Sequence, residues 1–171
     1  MKKWILRLAG AMALAFVLVA LLAWLTLRAS LPTLDGSVMV AGLDAGASIE
    51  RDAEGIVTIT AASRADAAFA TGFAHGQDRF FQMDIIRRRS AGELSALVGA
   101  MALDVDRRFR LHRFRSRAQA SLAALPAGDL QILEHYAAGV NAGLASLGGK
   151  PFEYFVLAVD PVPWRPEDTI L

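Results

Sequence analysis

The sequence contains no cysteine, which removes disulfides, thiol nucleophiles and Cys-ligated zinc from its repertoire. Histidine is almost as scarce. His75, His112 and His135 lie far apart, and none shows the paired H-E-x-x-H spacing of a helical zinc site. Excess charge is missing too, with 18 Lys and Arg against 17 Asp and Glu for a formal net charge of +1. Phosphate binding needs a concentrated basic face, so no nucleic-acid partner is expected. The densest basic runs, Arg87 to Arg89 and Arg107 to Arg117, alternate with apolar residues and read as solvated or ion-paired helix faces. Ser90, Ser95 and Ser121 lack the G-x-S-x-G strand-to-helix elbow of a serine triad. There is no internal repeat, and no low-complexity tract beyond the N-terminal leader.

What is abundant is hydrophobicity, at 54% of 171 residues. Leu8 to Leu27 form 20 consecutive uncharged residues, which at ~1.5 Å each span about 30 Å of hydrocarbon. Lys2, Lys3 and Arg7 precede this run and only Arg28 directly follows it. The positive-inside tendency then keeps residues 1–7 in the cytoplasm and exports the remainder. Trp24 suits the outer interface. A cleaved signal peptide is the competing reading, but WLTLRAS offers no good small-x-small site, so 8–27 is read as an uncleaved signal anchor. Residues 28–36, with Pro32, form a tether, and 37–171 the exported region.

The tether is followed by a small β entry. Ser37 to Ala41 alternates, Gly42 to Gly46 turns, and Ser48 to Arg51 with Ile56 to Ala61 predict two strands about a turn at Asp52 to Gly55. Helices account for most of the rest. Asp106 to Leu125 is expected as one helix ended by Pro126 and Gly128. Asp129 is expected to cap the next, which Gly148 and Gly149 end. Pro151 to Pro166 reads as an extended aromatic segment anchored by Trp164. Pro166, Glu167 and Asp168 look like a helix opening, so the chain is expected to be the N-terminal piece of a longer one.

The most informative stretch is Ala68 to Gly99. Successive steps of about 100° place Phe69, Phe73, Gly76, Phe80, Met83 and Arg87 in one stripe of a long helix. A second stripe holds Ala67, Ala70, Ala74, Phe81 and Ile85. Together they are wider than a surface helix needs, so burial within a larger body is expected. Ser63 and Asp66 signal the start, Gly92 the stop. Asp78 and Asp84 point toward the apolar arc and must be paired. Asp84 has Arg87 and Arg88 within reach, while Asp78 needs another segment. Arg51–Asp52, Asp78–Arg79 and Asn141 are read as structural ties rather than substrate contacts, and Phe69, Phe73 and Phe80 as core.

GFAHGQDRFFQMDIIRRRSAGELSALVG resembles the N-terminal region of the penicillin acylase (penicillin amidase) family of N-terminal nucleophile hydrolases. RDAEGIVTIT (Arg51 to Thr60), YAAGVNA (Tyr136 to Ala142) and PFEYFVLAVDPVPWRPED (Pro151 to Asp168) resemble three further blocks of that family, in the same order. Departures occur: Gly92 to Ala96 replaces a G-R-L-x-E pattern, Val57 stands where proline is common, and Ala158 where glycine is.

The resemblance implies an α+β fold, the mostly helical N-terminal part of an αββα sandwich whose sheet later strands complete. It implies amide hydrolysis by a residue, usually Ser, whose α-amino group is freed by precursor cleavage and serves as base for its own hydroxyl. That nucleophile, its oxyanion donors and the calcium ligands would lie beyond Leu171. No catalytic, cofactor or metal residue is therefore assigned within this chain, which alone is expected to be inactive. The implied partners are the larger catalytic subunit, a small N-acylated amide (a β-lactam or acyl-homoserine lactone) and the inner membrane through 8–27. A membrane-tethered, non-catalytic helical scaffold is the alternative that the residues alone also allow.

Overall fold

The computed structural model describes residues 2–171. It is mostly helical, with one small sheet. Helix α1 (Lys2–Ala29) stands almost wholly exposed. Within it Lys3–Ala29 is, among the described residues, one helix long and apolar enough to cross a membrane. Residues 30–47 are irregular, including the alternating stretch 37–41, which forms no strand. This segment is held instead by the backbone N–H of Asp44, which donates to Asp66 Oδ1 at 2.9 Å.

Strands β1 (Ser48–Arg51) and β2 (Val57–Thr60) form an antiparallel hairpin, with Ser48 opposite Thr60 and Arg51 opposite Val57. Asp52 shapes the turn by accepting from the N–H groups of Glu54 and Ile56. The period of two puts Ile49, Arg51, Val57 and Ile59 on the half-buried face.

Helix α2 (Arg64–Ala91) begins and ends as its sequence signals indicate. Ser63 caps it by accepting from the Asp66 N–H at 3.0 Å, and Gly92 closes it in the left-handed region at φ 70°. It is not straight, because Arg79 leaves helical geometry at φ −147° and ψ 24°. Phe69, Phe73 and Phe80 are buried, as their stripe indicates. Asp84 is fully buried, whereas Asp78, beside the kink, lies near the surface with its side chain 23% exposed.

Helix α3 (Ser95–Val98) follows, then a 3-10 turn (Gly99–Ala102), α4 (Leu103–Arg110) and α5 (Phe114–Ala123). The single helix expected from 106 to 125 is thus broken. Arg113 adopts φ 54° and ψ 36°, which interrupts the helical backbone, and His112 stacks on Phe114 at 5.1 Å across the break. Helix α6 (Ala127–Ala145) starts before Asp129, at a Pro126 cap, because proline's fixed φ and missing N–H suit a helix entrance. Asp129 sits in the first turn, where its charge favours the helix end. Pro151 opens a further short helix, α7 (Phe152–Val156), so 151–166 is not extended throughout. Tyr154 within it is fully buried in the core. Pro166–Thr169 forms a final 3-10 turn.

Helices α2 and α6 cross with their backbones in contact. A Cβ at Gly72 or Gly76 would strike the carbonyl oxygens of Tyr136 or Val140, and one at Gly139 or Gly143 those of Phe69 or Phe73. Four missing side chains therefore set the crossing. Beside it Phe80, Leu97, Val140, Tyr154 and Trp164 form the apolar core.

Candidate functional site

Two places gather polar groups. The first lies where the hairpin meets the α2 kink. Arg51 of β1 donates from Nη2 to both carboxylate oxygens of Asp78 at 2.8 Å, tying strand to helix as the unpaired aspartate required. A recess of about 400 Å³ opens beside this pair, lined by Ile56, Val57, Ile59, Thr71, His75 and Arg79. His75 Nδ1 shares a 2.9 Å hydrogen bond with the Tyr136 hydroxyl. Burial, and then the nearby Arg79 charge, lower the His75 pKa from its ordinary value, so the imidazole is neutral at pH 7. Burial also raises the Tyr136 phenol. The Thr71 hydroxyl is committed to the Ala67 carbonyl. The recess thus offers a neutral base with no aliphatic hydroxyl to activate.

The other singled-out residues are dispersed. His112 stacks on Phe114, and His135 Nδ1 reaches the Gln131 carbonyl within its own helix. Ser95 donates to Asp106 Oδ2 at 2.5 Å, and the N–H groups of Leu94 and Ser95 bond the same carboxylate. Burial works to raise the Asp106 pKa, but these hydrogen bonds, led by Ser95, outweigh it and hold the group below its usual value. Ser90 lies in the last turn of α2 and Ser121 is exposed on α5. Asn141 clamps Trp164, donating to its carbonyl at 2.8 Å and accepting from its N–H at 2.7 Å. Among the described residues no group of three His, Asp or Glu could hold a metal ion.

The second place is a buried ionic cluster that the sequence showed only in part. Asp84 Oδ1 accepts from Arg87 Nε at 2.7 Å and from Arg88 Nε at 2.8 Å, and Oδ2 accepts from the Tyr154 hydroxyl at 2.7 Å. Arg87 then reaches across to the end of the chain. Its Nη1 donates to Asp168 Oδ2 at 2.6 Å and its Nη2 to the Val162 carbonyl at 2.6 Å, while its guanidinium lies 4.9 Å from the Trp164 ring centre. Arg115 of α5 joins Asp168 Oδ1 at 2.5 Å and Glu93 at 2.7 Å. Asp168 would be raised by burial, yet the hydrogen bonds from Arg115, from the Arg165 N–H and from Arg87 keep it below its usual value. Burial, followed by the Asp84 hydrogen bond, pushes the Tyr154 phenol far above its usual range. Asp168, Arg115 and Tyr154 were missed as members. The signal that could have found them is reciprocal: an arginine in an apolar stripe needs more acceptors than Asp84 supplies.

Residues 46–171 match the family model for penicillin amidase. The chain is 41% identical over 144 residues to penicillin acylase 2 proenzyme of Pseudomonas sp. strain SE83, covering 84% of this chain and 19% of that protein. It is 35% identical over 143 residues to the acyl-homoserine lactone acylase QuiP of Pseudomonas aeruginosa, covering 83% of this chain and 17% of the relative. Among solved structures, a thermostable penicillin G acylase from Alcaligenes faecalis aligns with a TM-score of 0.66 and 28% identity, over 73% of this chain and 68% of that one. The chain thus spans less than a fifth of the length of these two curated relatives.

Proposed function

From the premise that the chain belongs to the penicillin amidase family, we propose that it is the N-terminal part of an exported amidohydrolase acting on a linear amide of a small N-acylated molecule. A family match running from Gly46 to Leu171 carries this reading. The placement of the matching blocks supports it, since the Arg87 and Asp168 blocks meet in one buried cluster.

In this reading the chain is the scaffold of the smaller subunit, and its hairpin is extended by later strands into an αββα sandwich. The nucleophile lies beyond Leu171. A hydroxyl activated by its own free α-amino group attacks the amide carbonyl, the amine leaves with a proton, and water releases the carboxylic acid from the acyl-enzyme. Relatives named as penicillin and acyl-homoserine lactone acylases make N-acyl β-lactams and acyl-homoserine lactones the substrates to test. Calcium ligands are assigned to residues beyond Leu171. The described residues of this chain offer no donor set for the ion, and no step is routed through it. Residues 8–27 anchor the protein in the inner membrane, with 1–7 cytoplasmic and 37–171 in the periplasm.

The test is to read the coding DNA beyond codon 171 and express the entire frame. Hydrolysis of a phenylacetylated β-lactam or an acyl-homoserine lactone by the processed product, with no turnover by residues 1–171 alone, supports the reading. A stop directly after Leu171 sinks it, leaving a membrane-tethered scaffold as the reading. Turnover by residues 1–171 would overturn the placement of the nucleophile.

A further inference from the structure

The exposed face of α7 lies beside the exit of the apolar helix, and nothing in the proposed chemistry uses it. Phe152, Phe155 and Val156 occupy i, i+3 and i+4 of this short helix and are 46%, 45% and 78% exposed, while Tyr154 on the opposite side is fully buried. Three contiguous large apolar side chains on so short an element form a patch rather than scattered surface residues.

Its position relative to α1 gives the patch an occupant. Arg28 lies 5.4 Å from the Trp24 ring centre, an aromatic and cationic pair at the end of the apolar run of the kind that settles at headgroup level. The chain then meets the domain at once. Ideal Cβ atoms on Gly148 and Gly149 would stand 3.3 Å from the Ala29 carbonyl oxygen and 3.4 Å from the Ala29 Cβ. Ser30, Leu31 and Pro32 share a recess with Pro151, Phe152 and Glu153. The end of α1 therefore packs against the residues that lead into α7. Five residues of helix extend about 7.5 Å, comparable with the roughly 5–8 Å depth of one interfacial layer. The Lys150 ammonium lies 5.1 Å from the Phe155 ring centre while it donates to the Asp160 carboxylate and the Val159 carbonyl, each at 2.7 Å, so the aromatic face is bordered by an ion pair. Apolar side chains bordered by polar ones suit an interfacial position, held here by apolar burial rather than by net positive charge.

We infer that Phe152, Phe155 and Val156 insert into the interfacial layer of the outer leaflet, a second membrane contact that fixes the tilt of the domain over the bilayer. The inference rests on the proposal that α1 spans the membrane, and the test separates the two. With no native cysteine in the chain, Phe155→Cys, Val156→Cys, Val17→Cys and Ile56→Cys can each carry a single NBD label. Each labelled chain, expressed within the entire frame with any cysteine beyond residue 171 replaced, is placed in vesicles of phosphatidylethanolamine and phosphatidylglycerol. These contain lipids with a nitroxide either shallow or deep in the acyl chain.

The expected result is quenching at Val17 by the deep nitroxide. At Phe155 and Val156 the shallow nitroxide should lower emission roughly two-fold relative to Ile56 at the hairpin tip. Quenching at Val17 with Phe155 and Val156 no more quenched than Ile56 overturns the second contact and leaves the anchor standing. Labels at Phe155 and Val156 shielded from both lipid nitroxide and aqueous iodide overturn it as well, because protein then covers the face. No quenching at Val17 overturns the anchor and the contact that depends on it.

Discussion

Replacing Arg87 by alanine tests whether the buried ionic cluster holds the ends of this region together. Arg87 is 4% exposed, and its guanidinium makes hydrogen bonds to Asp84, Asp168, Val162 and Pro163 of 2.6 to 3.0 Å. Its removal leaves Asp84 and Asp168, whose side chains are fully buried, with Arg88 against the first and Arg115 and the more distant, half-exposed Arg165 against the second. Taking one partner from a buried ion pair costs about 3–5 kcal/mol, since the remaining charge keeps its desolvation penalty. The packing over Trp164 is lost too, so R87A is expected to cost about 4 kcal/mol, a large part of the ~5–15 kcal/mol that holds a domain folded. R87K keeps the charge but not the planar fork and should cost about 2 kcal/mol. Urea unfolding of the full chain in mild detergent, followed by near-UV circular dichroism, gives both values. Pairing R87A with D168N should recover part of the loss, because the uncompensated carboxylate is then gone. A cost below about 1 kcal/mol for R87A, the size of an exposed salt bridge, would refute the reasoning.

Three other perturbations follow from positions already described. G143A should destabilise by about 1–3 kcal/mol despite the better helix propensity of alanine, because the added methyl meets the Phe73 backbone. G128A, with nothing within 4 Å, should instead stabilise slightly, and thermal melting of the two variants checks the contrast. Ala158 stands at φ 53°, where a Cβ costs about 1–2 kcal/mol, so A158G should raise stability by roughly 0.5–1 kcal/mol once the freedom of glycine in the unfolded chain is subtracted. Acidification should weaken the fold in two stages. The lowered His75 pKa means that the unfolded chain binds the proton first, so stability falls as pH drops through 6.5. The lowered Asp106 and Asp168 pKa values preserve their contribution above 3.8 and release it below. H75Q should remove the first stage of the pH–stability curve and leave the second.

Elements with local signals were readable in the sequence. Ser63, Asp66 and Gly92 marked the ends of α2 because capping uses side chains and backbone freedom at fixed offsets. The hairpin followed from its alternation and from Asp52 and Gly55 at the turn. The break at Arg113 had no such mark, since no glycine or proline lies between Asp106 and Leu125. It coincides with the long-range contacts of Arg115 to Glu93 and Asp168, which helical periodicity cannot reveal. The kink at Arg79 has no proline to mark it and falls beside Asp78, which Arg51 of β1 holds from 27 residues away. Pro151 to Pro166 was misjudged because its prolines suggest extension, whereas Pro151 serves as a helix entrance. Of the polar groups, Asp84 with Arg87 and Arg88 was readable from i+3 and i+4 spacing, but Asp168 and Tyr154 reach Asp84 and Arg87 only through tertiary folding. The carbonyl contacts at Gly72, Gly76, Gly139 and Gly143 leave only an absence in the sequence, and Gly76 read simply as part of an apolar stripe.

The four-glycine crossing bears on how the chain can change over generations. In an ordinary core a larger side chain at one position can be answered by a smaller one opposite, so second-site suppressors exist. Here the atoms opposite each glycine are peptide carbonyls, which no codon can trim. A substitution at Gly72, Gly76, Gly139 or Gly143 has no compensating partner in its contact. Drift is therefore channelled away from the crossing, to the exposed surfaces of α4, α5 and the hairpin turn.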